Sequence, residues 1–175
     1  DIYGNVIKET DAIGNRSQTH YNAFGLVEKE VDKRGFAVSY VYNDKFQLTE
    51  MTDKLGNKAT FEYNDQGFVS KATNQNRFVS EYEYDIYGQK IKETEPNKNV
   101  TENEYDLLGQ VVKTVEPRKT TVNKYDSLGR LVSVKENDKT TKENEYNDLN
   151  QIVKSTNALK YVLTYEYDKY GNKTK

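Results

Sequence analysis

The residues able to do acid, base or nucleophilic chemistry are few, and most of them repeat. His20 is the single histidine and there is no cysteine, so a nucleophilic triad or a zinc site would rest on His20 alone. Glutamates recur in pairs that a glycosidase could use. These pairs are Glu81/Glu83, Glu102/Glu104 and Glu143/Glu145. They return at a fixed phase, whereas an active site is singular, so we expect no enzymatic activity, no catalytic residue and no cofactor.

Asp and Asn side chains also recur, and their oxygens are the ligands that calcium prefers. One such residue begins the first of two segments in every repeat described below, and an Asp, Asn or Glu begins the second. The first set is Asp1, Asn22, Asn43, Asn64, Asp85, Asp106, Asp126, Asn147 and Asp168. Each segment offers one or two oxygens where calcium takes about six to eight. We therefore interpret these residues as turn caps and predict no metal site.

A tyrosine followed by Asp or Asn returns every 21 residues, with one interval of 20 between Tyr105 and Tyr125. The tyrosines are Tyr21, Tyr42, Tyr63, Tyr84, Tyr105, Tyr125, Tyr146 and Tyr167. A fixed period is the signature of stacked structural units. We predict one array over 1–175, with a partial repeat 1–20, repeats starting at 21, 42, 63, 84, 105, 125 and 146, and a partial repeat 167–175.

Each repeat, numbered from its tyrosine as position 0, contains two turn signals. Position 1 is Asp or Asn and position 4 is glycine in most repeats, which is typical of a turn whose fourth residue is left-handed. The position 4 glycines after residue 20 are Gly25, Gly67, Gly88, Gly109, Gly129 and Gly171, whereas Phe46 and Asn150 replace glycine in two repeats. A second turn covers positions 11–14, where both prolines lie.

The segments between the turns alternate in polarity, as half-buried strands do. We predict about sixteen antiparallel strands in one long, twisted or spiralling all-β sheet of hairpins. Because side chains alternate between two faces, an odd repeat length requires one extra residue per repeat that is not paired across the strands. We predict that this residue forms a bulge at the position 4 glycine. The 20-residue interval predicts an irregularity within the strand Thr120–Lys124.

The composition agrees with a repeat array and argues against several classes of function. Only 34% of the 175 residues are apolar, 15 residues are Tyr, and the mean hydropathy is −1.00, so stability must come from ladders between neighbouring strands. The net charge of −2 gives no reason to expect nucleic-acid binding. No apolar run is long enough for a membrane-spanning helix. The chain opens and stops inside repeats, so we expect it to be part of a longer protein.

The phrases Tyr84–Gly88 (YDIYG), Tyr105–Gly109 (YDLLG) and Tyr125–Leu131 (YDSLGRL) resemble the YD repeat of Rhs proteins. Thr52–Asn57 (TDKLGN) resembles the half-repeat signal of the same family. The resemblance implies a strip of β-hairpins that spirals into a hollow shell, as in bacterial Rhs and wall-associated polymorphic toxins, toxin-complex subunits and animal teneurins. In bacterial members the shell encloses a C-terminal toxic domain. The family's shell-closing, self-cleaving segment is absent here, so no autoprotease residue is transferred.

Two repeated columns have alternative interpretations. The tyrosines could stack on sugars or bases, but we favour a packing ladder. Basic residues in the second turn could form a ridge for anionic glycans or cell-wall polymers. These residues are Arg77, Lys98, Lys119, Lys139 and Lys160. Lysines on a sheet also discourage aggregation, and we favour that role.

We therefore expect a scaffold segment of a secreted or surface bacterial protein, whose partners are neighbouring repeats or domains of the same chain and a C-terminal toxin cargo. The alternative is a surface adhesin or fibre that binds glycan or cell wall, or associates end to end. End-to-end association would use the unpaired edge strands near Asp1 and Lys175.

Overall fold

The computed structural model describes residues 1–174, which form sixteen β-strands and no helix. The strands are antiparallel and follow one another in chain order, as the predicted all-β array of hairpins requires, so that prediction is confirmed. Lys175, the last residue of the predicted partial repeat 167–175, lies outside the described residues. Within 1–174 there is no helix that could span a membrane.

The residues form two compact units, Asp1–Tyr82 and Glu83–Lys175. The strands of the first unit are β1 Lys8–Thr10, β2 Arg16–Tyr21, β3 Val27–Val31, β4 Ala37–Tyr42, β5 Leu48–Thr52, β6 Lys58–Tyr63 and β7 Val69–Thr73. Strand β8, Val79–Tyr84, contains the boundary. Those of the second unit are β9 Lys90–Thr94, β10 Val100–Tyr105, β11 Val111–Glu116, β12 Lys119–Tyr125, β13 Leu131–Glu136, β14 Lys139–Tyr146, β15 Ile152–Asn157 and β16 Val162–Thr164.

The two turns of a repeat have the same construction. In the second turn, one carboxylate oxygen of Asp53 accepts hydrogen bonds from the amides of Leu55 and Asn57 at 2.8 and 2.9 Å. The amide of Gly56 donates to the carbonyl of Asp53 at 2.9 Å, and Gly56 has a φ of 84°. All ten glycines have positive φ, so they lie where the left-handed backbone demands them.

The odd residue of each repeat lies in the hairpin that follows the tyrosine, but not at the glycine. Tyr42 pairs with Leu48 and Val41 with Glu50, which leaves Thr49 as the extra residue. The predicted position at the glycine is therefore wrong. Both turns have a left-handed residue at their fourth place and the same number of residues between the flanking strand pairs. Neither turn therefore supplies the odd residue, which must lie elsewhere.

The 20-residue repeat differs from the others in its second turn. Glu116 pairs directly with Lys119, so Pro117 and Arg118 form a two-residue loop. Strand β12 pairs with β11 without a register shift, so the predicted irregularity within Thr120–Lys124 is wrong. The repeat is one residue shorter because its second turn is shorter.

The next repeat also has a two-residue loop, in which Asn137 and Asp138 both have positive φ, but it keeps 21 residues. In β13–β14, Lys135 pairs with Thr140 and Val134 with Lys142, so Thr141 is an added bulge. One bulge therefore restores the length that the shorter turn removes.

The described residues contain almost no core. The single buried hydrophobic residue among them is Ala59, at 5% exposure, and Asn144, at 6%, is the single buried polar one. None of their large side chains is fully buried. The stability of the array must therefore come from contacts between neighbouring strands, as its composition predicts.

Candidate functional site

The tyrosine column forms a ladder of hydrogen bonds that joins successive repeats. In seven of these tyrosines the hydroxyl donates to the backbone carbonyl of position 6 in the preceding repeat, usually 15 residues earlier. The acceptors are Val6 for Tyr21 (3.3 Å), Val27 for Tyr42 (2.9 Å), Leu48 for Tyr63 (2.7 Å), Lys90 for Tyr105 (2.8 Å), Val111 for Tyr125 (3.1 Å), Leu131 for Tyr146 (2.9 Å) and Ile152 for Tyr167 (2.8 Å). These rings are half-buried. The hydroxyls are therefore engaged inside the array.

In the second unit an asparagine two residues before the tyrosine donates to the same carbonyl. The amide of Asn144 reaches the Leu131 oxygen at 3.0 Å beside the hydroxyl of Tyr146 at 2.9 Å. Asn103 and Asn123 do the same at Lys90 and Val111. Both lone pairs of each carbonyl are then used. Sequence reasoning missed these residues, although Asn recurs there in three consecutive repeats on the inward side of an alternating strand.

Side chains at position 5 reach the first turn of the next repeat. The amide of Gln47 donates to the carbonyl of Gly67 at 3.0 Å, and that of Gln110 to Gly129 at 2.8 Å. A Cβ on Gly67 would lie 3.1 Å from the Gln47 nitrogen. The glycine is therefore required both for its backbone angle and for this close approach.

Hydrogen bonds lower the pKa of two carboxylates of the second turn, Asp11 and Asp53. Desolvation raises the pKa of Asp11, but hydrogen bonds from Lys33, Asn15 and Ile13 outweigh it and lower the pKa to about 2. The side-chain amide of Asn57 lowers the pKa of Asp53. These carboxylates cap turns, and the described residues contain no cluster of three His, Cys, Asp or Glu side chains that could hold a metal.

Lysines at position 8 pair with the glutamate that precedes the tyrosine on the adjacent strand. The pairs are Lys71–Glu62 (3.0 Å), Lys92–Glu83 (3.0 Å), Lys113–Glu104 (2.7 Å) and Lys154–Glu145 (2.6 Å). Hydrogen bonding to Glu104 raises the pKa of Lys113. The pairs are exposed to solvent, which screens them, so each adds little to stability. The glutamate recurrence noted in the sequence is thus partly a cross-strand charge pattern.

The basic residues of the second turn lie in different settings. Arg77, in the first unit, and Lys98 and Lys160, in the second, have the left-handed angles that glycine has in other repeats. Lys119 pairs with Glu116 at 3.1 Å, and Lys160 lies 3.8 Å from Glu143. Among the described residues Lys98 and Lys139 have no ion-pair partner. Within the second unit, those two lysines are the free cations of the ridge.

His20 is exposed and pairs in register with Lys29 across β2 and β3. No described nucleophile or carboxylate makes a hydrogen bond with its side chain.

No family model and no curated protein matches the chain. Solved structures do match it. A crystal structure described as TcdB2-TccC3-Cdc42 aligns with a TM-score of 0.79 and 16% identity over 98% of this chain and 12% of that one. One described as TcdB2-TccC3 gives 0.76 and 18% over 98% and 12%. The Tc holotoxin pore of Photorhabdus luminescens gives 0.72 and 17% over 91% and 11%.

Identities this low establish the fold alone, and the chain spans about an eighth of the first of these proteins. The expected likeness to YD-repeat shells is confirmed for the fold. The chain is therefore a β-hairpin repeat array with the fold found in these Tc toxin structures.

Proposed function

We propose that the chain is a wall segment of a larger secreted or surface bacterial protein, and that this wall encloses or carries a toxin domain. The observation that carries the proposal is the tyrosine ladder. Seven of its hydroxyls donate to the backbone of the preceding repeat, as that of Tyr63 donates to the Leu48 carbonyl at 2.7 Å. Such nearest-neighbour bonds let an array extend without an aliphatic core, which a thin wall requires.

The comparisons support a role within a larger assembly. The matched structures bear the names of Tc toxin components, and one of them is a holotoxin pore. The chain aligns with only 11–12% of each matched protein, so contacts with adjacent repeats or domains of its own longer chain are part of the proposal. We propose no catalytic role, because the acidic side chains of the array recur as turn caps and cross-strand ion pairs.

Limited proteolysis of the full-length protein tests enclosure. We expect the C-terminal domain to resist protease in the intact protein and to be cut when the ladder is weakened by Tyr63→Phe combined with Tyr146→Phe. Tyr87→Phe is the matched control, because Tyr87 is 79% exposed in a turn. A C-terminal domain that is cut equally fast when attached and when isolated would rule out enclosure.

The free cations Lys98 and Lys139 favour a second candidate, an adhesin that binds anionic glycans or cell-wall polymers. This function predicts binding that weakens with salt and is lost when Lys98, Lys119 and Lys139 become Ser. The matched control replaces Lys113 and Lys154, which are held in ion pairs. Equal binding by both variants would reject the ridge as the binding surface.

If the protein instead forms a fibre, the chain should associate end to end. A strict monomer in sedimentation experiments at high concentration would reject the fibre.

A further inference from the structure

The glycine of the first turn, at position 4, is missing from one repeat of the first unit. At turn position 4, Phe46 replaces glycine and holds a φ of 63°. A bulky aromatic residue at positive φ is a genuine outlier. The other six described non-glycine residues at positive φ are Arg, Lys, Asn or Asp. Strain that persists at one position points to a function there.

Phe46 packs against Phe24 in the first turn of the preceding repeat, with ring centroids 4.9 Å apart and ring planes at 64°. The contact does not bury them: Phe24 is 72% exposed and Phe46 54%. Together with Tyr40 and Tyr42 they line a cleft of about 450 Å³. This volume is that of a small-ligand site.

The polar groups of the cleft select the charge of its ligand. The hydroxyl of Tyr40 donates to Glu30 at 2.8 Å, and that of Tyr42 donates to the Val27 carbonyl at 2.9 Å. The phenol donors are therefore already used. The cleft is also lined by Glu28 and Asp44, and neither carboxylate has an ion-pair partner among the described residues.

Glu28 is the bulge residue of its hairpin, because Tyr21 pairs with Val27 and His20 with Lys29. It therefore has no partner across the strand. Carboxylates and the faces of aromatic rings both attract cations. Lys45, in the same turn as Phe46, does not line the cleft.

We propose that the cleft lined by Phe24, Tyr40, Phe46, Glu28 and Asp44 binds an organic cation, either a guanidinium or a quaternary ammonium group. The cation lies against the faces of the aromatic rings, and the carboxylates neutralise its charge. This binding site is additional to the scaffold role and does not depend on it.

Amide NMR titration of the chain at constant ionic strength tests the site. Separate titrations use tetramethylammonium, methylguanidinium and, as a neutral control, glucose. We expect saturable shifts confined to the turns and strands around Phe24 and Phe46 with at least one cation. A preference for methylguanidinium indicates an arginine side chain as the natural ligand, and a preference for tetramethylammonium indicates a choline-type headgroup.

The substitution Phe46→Gly installs the residue that most repeats have at this position. We expect the fold to persist and cation affinity to fall about twofold to fivefold, the size of one lost cation–π contact at an exposed site. Asn150→Gly makes the same change at the same turn position in another repeat and leaves affinity unchanged. Glu28→Gln, at an exposed bulge, weakens binding severalfold without touching the turn.

Three results would overturn the proposal. They are the absence of saturable shifts with both cations, unchanged affinity in Phe46→Gly and Glu28→Gln, and shifts with glucose equal to those with the cations.

Discussion

The hydroxyl of Tyr63 donates to the backbone carbonyl of Leu48, 15 residues earlier, at 2.7 Å. The bond joins two successive repeats, and its counterparts recur along both units. In the repeat of Tyr146, Asn144 donates to the same acceptor as the tyrosine, whereas the equivalent residue before Tyr63 is Phe61. The two repeats therefore depend on their tyrosine to different extents.

We expect Tyr63→Phe to lower the free energy of unfolding by about 1–2 kcal/mol, because no other described side chain donates to the Leu48 carbonyl. Tyr146→Phe should cost about 0.5–1 kcal/mol, because Asn144 still satisfies Leu131. Urea unfolding of each variant measures the difference, with Tyr87→Phe as the exposed control. Equal losses in the two ladder variants would contradict the shared-acceptor account.

Asn144→Ala should be more costly than either, at about 2–3 kcal/mol. It removes the bond to Leu131 and leaves the hydroxyl of Ser155 without its acceptor, because that hydroxyl donates to the Asn144 oxygen at 2.9 Å. Combining it with Tyr146→Phe should cost more than the sum of the single changes by about 0.5 kcal/mol or more, because the Leu131 carbonyl then loses both side-chain donors. A double-mutant cycle from urea unfolding gives this coupling, and strict additivity would count against it.

Two glycines at the same turn position should differ in their tolerance of alanine. Gly25 and Gly67 have φ of 78° and 90°, so each substitution should cost about 1–2 kcal/mol in backbone strain. A Cβ on Gly25 meets nothing within 4 Å, whereas one on Gly67 meets the Gln47 amide at 3.1 Å. Gly67→Ala should therefore lose about 1 kcal/mol more, as the Gln47 bond is displaced.

Thermal or urea unfolding of the two alanine variants checks this expectation. Gln47→Ala provides the control, because in that background the two glycine substitutions should cost the same. A difference that persists without Gln47 would contradict the proposed cause.

The turn carboxylates should make stability fall in acid. The pKa of Asp11 is about 2 in the folded chain, below its ordinary value of 3.8, and that of Asp53 is also lowered. A depressed folded pKa means that the stabilisation is present above about pH 4–5 and is lost as the pH falls toward 2. We expect the urea midpoint to decrease over that range.

Replacing Asp11 and Asp53 by Asn, the residue that Asn74 and Asn157 provide at the same turn position, should flatten this decrease. Asp65→Asn is the matched control, because Asp65 makes no hydrogen bond or ion pair among the described residues. If the control flattens the profile as much as the double variant does, the capping carboxylates are not the cause.

Much of the fold was predictable from local patterns. The turns depend on short-range chemistry: an Asx side chain bonds amides two and four residues later, and glycine accepts the left-handed angle, so Asn22 and Gly25 are recognisable without a structure. The odd residue per repeat follows from parity. The location of this residue does not follow from parity, because a bulge in the turn and a bulge in the strand give the same repeat length. Only the strand pairing shows that the extra residue is Thr49 and not a residue of the preceding turn.

The period, the alternation and the turn residues act within a few residues of one another, so they are enough to identify an array of β-hairpins. The partners of the side chains become known only in the folded sheet. Tyr146 and Asn144 meet at one carbonyl of another strand, and Phe24 meets Phe46 across two turns. Both relationships join residues far apart in the chain, and strand register, which no local pattern specifies completely, brings them together.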